Sequence, residues 1–165
     1  MRGTRGIHKA NNVSNADRLY VRGSKPPEGV ELVREWPPRR AEIEDKFGQL
    51  PDGVIFAWGD KIMVPGGRPL EQWLIDHEAV HLQQQEDFGG VDEWWDRYLA
   101  DGRWRLSQEL EAHHAEWLSY CRHVKDRNSK ARYLHVLAAR LSSKMYGAMC
   151  GRSDAMMMIK SGRML

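Results

Sequence analysis

Residues 69–90 read PLEQWLIDHEAVHLQQQEDFGG, and the fold follows from how this stretch is read. Pro69 is placed to open a helix, because a first turn needs neither proline's missing N–H nor any φ that proline cannot adopt. Leu70, Trp73, Leu74, His77, Val80 and His81 recur at helical spacing and define an inward face, and Gly89-Gly90 ends the run. Residues four apart on a helix lie about 40° apart around the axis and one turn along it. His77 and His81 therefore project side by side from the face turned to the core. A buried imidazole without a partner is costly, whereas two that converge on one divalent cation share a partner. Glu78 is offset by about 100°, too far round to share that ion but well placed to take a proton from a water beside it. Five residues thus supply two metal ligands, His77 and His81, and a general base, Glu78, with Zn2+ the expected ion. The frequencies of His and Glu in this chain put a chance H-E-x-x-H at roughly 2%, and chance does not require the histidines to face inward.

Outward on the N-terminal side, Val54 to Trp58 and Lys61 to Val64 flank Gly59-Asp60, the pattern of a β-hairpin with a two-residue turn. Ala41 to Phe47 is a short helical run stopped by Gly48. Residues 1–40 hold three loop signals (Asn11-Asn12, Lys25-Pro26-Pro27, Trp36-Pro37-Pro38) and read as an irregular basic arm, in which Val30 to Val33 can form a short edge strand. On the C-terminal side, Asp92 caps a stretch from Glu93 to Leu99 that Asp101-Gly102 closes. A third helix, roughly 104–124, carries the stripe Leu106, Leu110, His113, Trp117, Cys121 and Val124. A fourth helix is expected at roughly 130–146, and Ser153 or Asp154 is expected to cap a last one near 155–160. The expected fold is mainly α with a small β-hairpin or sheet (α+β), the HExxH helix packing on a second helix that carries ligands. The expected divisions are an arm at 1–40, a metal-site domain at 41–150 and a docking segment at 151–165.

A catalytic zinc site uses three protein ligands and water, so a third must come from elsewhere. Glu109 shares the stripe of Leu106 and His113 and can point inward. Glu111 lies about 200° away from it and should face solvent, while Glu116 returns to nearly the same face. His113 and His114 are also chemically able to ligate. The residues alone leave these alternatives open.

HExxH followed 28 residues later by Glu109-Leu110-Glu111-Ala112-His113 resembles the minimal gluzincin metallopeptidases, including those that cleave phage-immunity and radiation-response repressors. In that family HExxH is paired with a Glu-x-x-Ala-Asp/Asn helix. The resemblance covers about residues 54–120 and implies a zincin-like domain with Glu109 as third ligand and a peptide or protein substrate held along an edge strand. His113 departs from the pattern, standing where the family has an acidic or amide residue that supports a metal-bound histidine. The resemblance leaves it as a ligand, a support or a transition-state donor, and His114 and Tyr120 are further candidates for supporting or donor roles. Tyr98 and Tyr120 are each weighed as oxyanion donors against plain core packing. Small domains of this kind also resemble phage and prophage proteins, so the expected location is the cytoplasm, or a virion if the chain is phage-encoded. The competing reading is a structural protein that retains the metal site and assembles through its N-terminal arm.

Composition bounds these readings. With 41% hydrophobic and 29% charged residues in 165, the chain is globular and of one-domain size. The net charge of +2 conceals an acidic middle: residues 41–100 carry thirteen Asp/Glu against four Lys/Arg, and both flanks are basic. That bias suits a cation in the middle. Cys121 and Cys150 lack the spacing of a thiolate metal site and are expected as packed thiols. No apolar run follows the basic N-terminus, so no secretory signal or membrane partner is expected. No nucleic-acid module appears, so the basic flanks are not expected to bind nucleic acid. Of the seven tryptophans, Trp73 and Trp117 are expected in the core, and one of Trp94-Trp95 beside a cleft.

Overall fold

The structure is a computed structural model that describes residues 19–165. In chain order these form β1 (Glu31–Val33), α1 (Arg40–Phe47), β2 (Phe56–Trp58), β3 (Lys61–Met63), α2 (Gln72–Phe88), α3 (Val91–Ala100), α4 (Gly102–His123), α5 (Arg127–Leu141) and α6 (Arg152–Ser161), with a 3-10 turn at Lys144–Tyr146. The fold is mainly helical with one small mixed sheet of order β1-β3-β2. β2 and β3 form the expected hairpin, with Phe56 opposite Met63 and Trp58 opposite Lys61. Gly59 takes φ +64°, the left-handed value required at the first position of a Gly-X turn. β1 pairs in parallel with β3, Leu32 opposite Ile62. The arm expected over residues 1–40 lies partly outside the described residues. From Leu19 onward the chain is docked, with Leu19 buried and Tyr20 bridged to Leu70.

That bridge moves the start of α2. Leu70 donates its N–H to Leu19 O at 2.9 Å and accepts from Val21 N–H at 3.0 Å, so its backbone is spent on an extended pairing and the helix begins at Gln72 rather than in the turn of Pro69. Tertiary pairing outweighs the local signal. α2 ends at Gly89, whose φ of +109° lets its N–H reach back to the carbonyls of Gln85 and Glu86. Asp101 caps α4 by accepting from Trp104 N–H at 2.9 Å, and Asp126 caps α5 through Ser129 N–H at 2.6 Å. α5 stops at Leu141, short of 146, where the Ser142 hydroxyl bonds the Ala138 carbonyl at 2.8 Å and competes with helix continuation. α6 starts from Gly151, ahead of Ser153.

Three apolar clusters surround the middle of the molecule. Leu106 and Leu110 of α4 meet Leu134, Leu137 and Leu141 of α5 and Met158 and Ile159 of α6. Ile43, Phe56 and Met63 pack on Trp94, Trp95 and Tyr98 of α3. Ile62 and Val64 of the sheet region pack with Leu70, Ile75 and Leu82. Trp94 and Trp95 are therefore both buried, while Trp73 is half-buried against Tyr120 and Tyr133. Cys121 and Cys150 are half-buried free thiols. Among the described residues no helix is long and apolar enough to cross a membrane.

Candidate metal centre

α2 and α4 lie side by side through the centre of the fold and supply all the ionisable groups at issue. His77, Glu78 and His81 come from α2; Glu109, His113 and Glu116 come from α4. All six are buried. The Nε2 atoms of His77 and His81 stand 3.2 Å apart. The Glu109 carboxylate faces both, with Oε2 3.7 Å from His77 Nε2 and Oε1 3.3 Å from His81 Nε2. Donors held at 2.0–2.1 Å from one tetrahedral ion stand roughly 3.3–3.4 Å from one another. The three side chains thus have the mutual spacing of a ligand set.

The outer nitrogens explain why the inner ones converge. His77 Nδ1 donates to Glu116 Oε2 at 2.9 Å, and His81 Nδ1 donates to Gln84 Oε1 at 2.9 Å. The amide of Gln84 is oriented by its own donations, to Gln108 O at 3.1 Å and Glu111 Oε2 at 2.8 Å. An ionised carboxylate and an amide oxygen only accept, so both histidines carry the Nδ1 proton and, when neutral, present an Nε2 lone pair to Glu109. Support of a histidine through its far nitrogen is the usual arrangement around a bound metal. Tyr98 OH donates to Glu109 Oε1 at 2.5 Å and restrains the carboxylate. Tyr133 OH likewise donates to Glu116 Oε1 at 2.5 Å, with Arg140 3.7 Å from the same oxygen.

Lone pairs of two imidazoles and a carboxylate cannot face one another in a dry site without positive charge between them. The titration behaviour of the metal-free protein shows the same demand. Burial opposes charge on His77, but the hydrogen bond and charge of Glu116 outweigh it and raise the imidazole to about 9. His81 is raised in the same way, burial being outweighed by Glu109. Burial also works against ionising Glu109 and Glu116, yet the neighbouring histidines hold both well below the usual carboxylate range. Burial pushes Glu78 up, with His77 and His81 only partly offsetting it. Burial lowers His113, with the charge on His77 adding to it against Glu116. A further sign is an orphaned atom: His113 Nε2 is fully buried, has no hydrogen-bond partner and lies 3.9 Å from Glu109 Oε2. The donor chemistry therefore fits a divalent transition ion.

The cluster opens into a cavity of about 300 Å³. Glu78 lines it beside the three converging groups. Leu50, Val54, Phe56 and Trp95 form an apolar wall, and Arg68 and Arg140 add positive charge.

The structure brings His77, Glu78, His81, Glu109 and His113 to one locus. His114 lies elsewhere, its Nδ1 2.7 Å from the Ile159 carbonyl of α6. Tyr120 stacks on Tyr133 with ring centroids 3.9 Å apart, outside the cavity lining. Glu111 is exposed, as helical geometry requires, and bonds Gln84. The support expected one turn after Glu109 comes instead from Glu116, weighed from the sequence only as a ligand. Gln84 supports His81 without any motif to mark it, and the one signal in the sequence is its position three residues after His81 on the same helix. Tyr98 was weighed as an oxyanion donor, but its hydroxyl is held by Glu109.

The chain matches no protein-family model, no characterised protein and no solved structure.

Proposed function

We propose that the chain is a metal-dependent hydrolase, a zinc peptidase in which His77, His81 and Glu109 hold the ion and Glu78 is the general base. One observation carries this reading. The Glu78 carboxylate lines the same cavity as the three converging donors, on the helix that supplies two of them. A bound zinc ion supplies Lewis acidity and makes water a nucleophile near neutral pH. The work of the chain is positional and protonic. Glu116 and Gln84 fix the faces of His77 and His81, and Tyr98 fixes Glu109. Glu78, on the cavity wall beside the three donors, would accept a proton there and return it to a leaving amine. The apolar wall accepts a substrate side chain, and residues 53–57 bring peptide backbone to the cavity edge.

The test is metal analysis of the purified protein together with Glu78→Gln. About one zinc per chain is expected in both proteins, with hydrolysis of a peptide library reduced about 10²- to 10⁴-fold in the variant. Zinc present with hydrolysis unaffected by Glu78→Gln removes the hydrolase reading and leaves a structural metal site.

A further inference from the structure

The cavity differs at its two ends along α2. At the His81 end the Trp94 ring lies 5.5 Å from the imidazole, centroid to centroid, and Tyr98 holds Glu109. The His77 end carries two guanidinium groups. Arg140 reaches Glu116, the carboxylate that holds His77, and Arg68 stands four residues ahead of the first residue of α2. Both line the cavity together with Leu74, one turn before Glu78.

Arg68 is exposed, and among the described residues it has no ion-pair partner. Its backbone is fixed on both sides all the same. Gly67 N–H donates to Val64 O at 2.8 Å, Gly66 comes so close to the preceding loop that a Cβ there would stand 2.3 Å from Asp52 O, and Leu70 is bridged to Tyr20. An arginine on a fixed backbone at a cavity wall presents a planar fork of donors that fits a carboxylate. Arg140 stands 3.7 Å from Glu116 Oε1, too far for a hydrogen bond, and its side chain is 51% exposed. Its helix, α5, contains no Asp or Glu. The buried carboxylates do not answer these cations, because histidines meet them first: Glu116 Oε2 lies 2.9 Å from His77 and 2.8 Å from His113, and Glu109 faces His77 and His81. The His77 end therefore has positive charge to spare beside a largely apolar cavity.

Resting on the hydrolase reading above, we propose that the cavity selects peptides with a carboxylate on the His77 side of the scissile bond, held by Arg68 with Arg140 as second cation, and a bulky apolar side chain on the Trp94 side. A chain terminus and an Asp or Glu side chain both supply that carboxylate, and the experiment separates them.

The full chain is stripped of metal with chelator, so that no peptide is consumed and no carboxylate can settle on an ion. It is titrated with acetyl-Phe-Gly-Asn amide, acetyl-Phe-Gly-Asp amide and acetyl-Phe-Gly-Gly with a free C-terminus, and binding is followed by the fluorescence of the tryptophans, of which Trp94 and Trp95 line the cavity. The acid of the right kind is expected to bind about 10-fold more tightly than the neutral peptide, with a preference that shrinks as salt is raised. Arg68→Gln should erase the preference and Arg68→Lys should keep most of it. Preference for the aspartyl peptide identifies a side-chain carboxylate, and preference for the free terminus identifies a chain end. Equal binding of acidic and neutral peptides, a preference that survives Arg68→Gln, or no binding of any probe overturns the carboxylate subsite. With zinc restored, absence of hydrolysis alongside an intact Arg68-dependent preference removes the hydrolase reading and leaves the subsite standing.

Discussion

Glu116→Gln tests whether the buried carboxylate between the two long helices holds the site together by charge. Glu116 is 1% exposed and accepts from His77 and His113 through one oxygen and from Tyr133 through the other. Glutamine preserves this shape. Its carbonyl can remain under the two imidazole N–H groups while its amide faces Tyr133, whose hydroxyl turns to accept. Only the charge is lost. In the metal-free protein the hydrogen bond of the Glu116 carboxylate and, after it, its charge raise His77 from 6.5 to about 9 against the effect of burial. A raised folded-state pKa stabilises fully below the unfolded value and is lost as pH climbs through the folded one. The interval corresponds to at most about 3 kcal/mol. The stability gap between wild type and Glu116→Gln should therefore be widest near pH 6 and close by up to that amount towards pH 10. Glu116 itself titrates far below this window. Urea unfolding with chelator present, followed by tryptophan fluorescence, measures the gap at each pH. A gap that stays flat, or widens with pH, refutes the electrostatic account. Loading with zinc gives an independent check, with affinity expected about 10- to 100-fold lower in the variant.

Tyr98→Phe removes one of the two tyrosine hydroxyls set against Glu109, the other being that of Tyr146, and chelator competition should show up to about 10-fold weaker zinc binding; an unchanged affinity means the contact is only packing. Gln85→Ala removes bonds to the Gly59 N–H at 2.8 Å and the Ala57 carbonyl at 2.9 Å. It should cost about 1–3 kcal/mol and speed amide exchange at Gly59, as hydrogen-exchange mass spectrometry would report. Leu137→Ala empties a fully buried position between α4, α5 and α6. It should lower unfolding stability by about 2–5 kcal/mol and leave the zinc content at one per chain.

The parts of the fold that could be read from the sequence were those set by neighbours a few residues apart. His77 and His81 are adjacent because a helix makes them so, and the Gly59-Asp60 turn carries its own conformational demand. The pairing of α2 with α4 was expected, but its rotation was not, and that rotation decides which α4 side chain meets which histidine. Glu116 and His113 share a face in any helix. That Glu116 meets His77 Nδ1 while the Nε2 of His113 turns towards Glu109 depends on how two helices seat on each other, which periodicity does not contain. The start of α2 was misplaced for the same reason, since the pairing of Leu70 with residues near 20 is a contact across fifty positions of chain. Both members of the Trp94-Trp95 pair are buried, packed with Ile43 of α1 and with Phe56 and Met63 of the sheet, and both also line the cavity, where adjacency on a helix suggested a cleft for only one of them.

The bonds of Gln85 have a consequence for the rim of the small sheet. β2 is a terminal strand, and such strands are prone to recruit a foreign chain. One amide side chain engages the Ala57 carbonyl and the Gly59 N–H near its end, a two-atom surrogate for a neighbouring strand that none of the described residues supplies. The backbone groups that Gln85 holds are therefore closed to any other pairing, and the stretch just before them, residues 53–56, is the part of that border that lines the cavity.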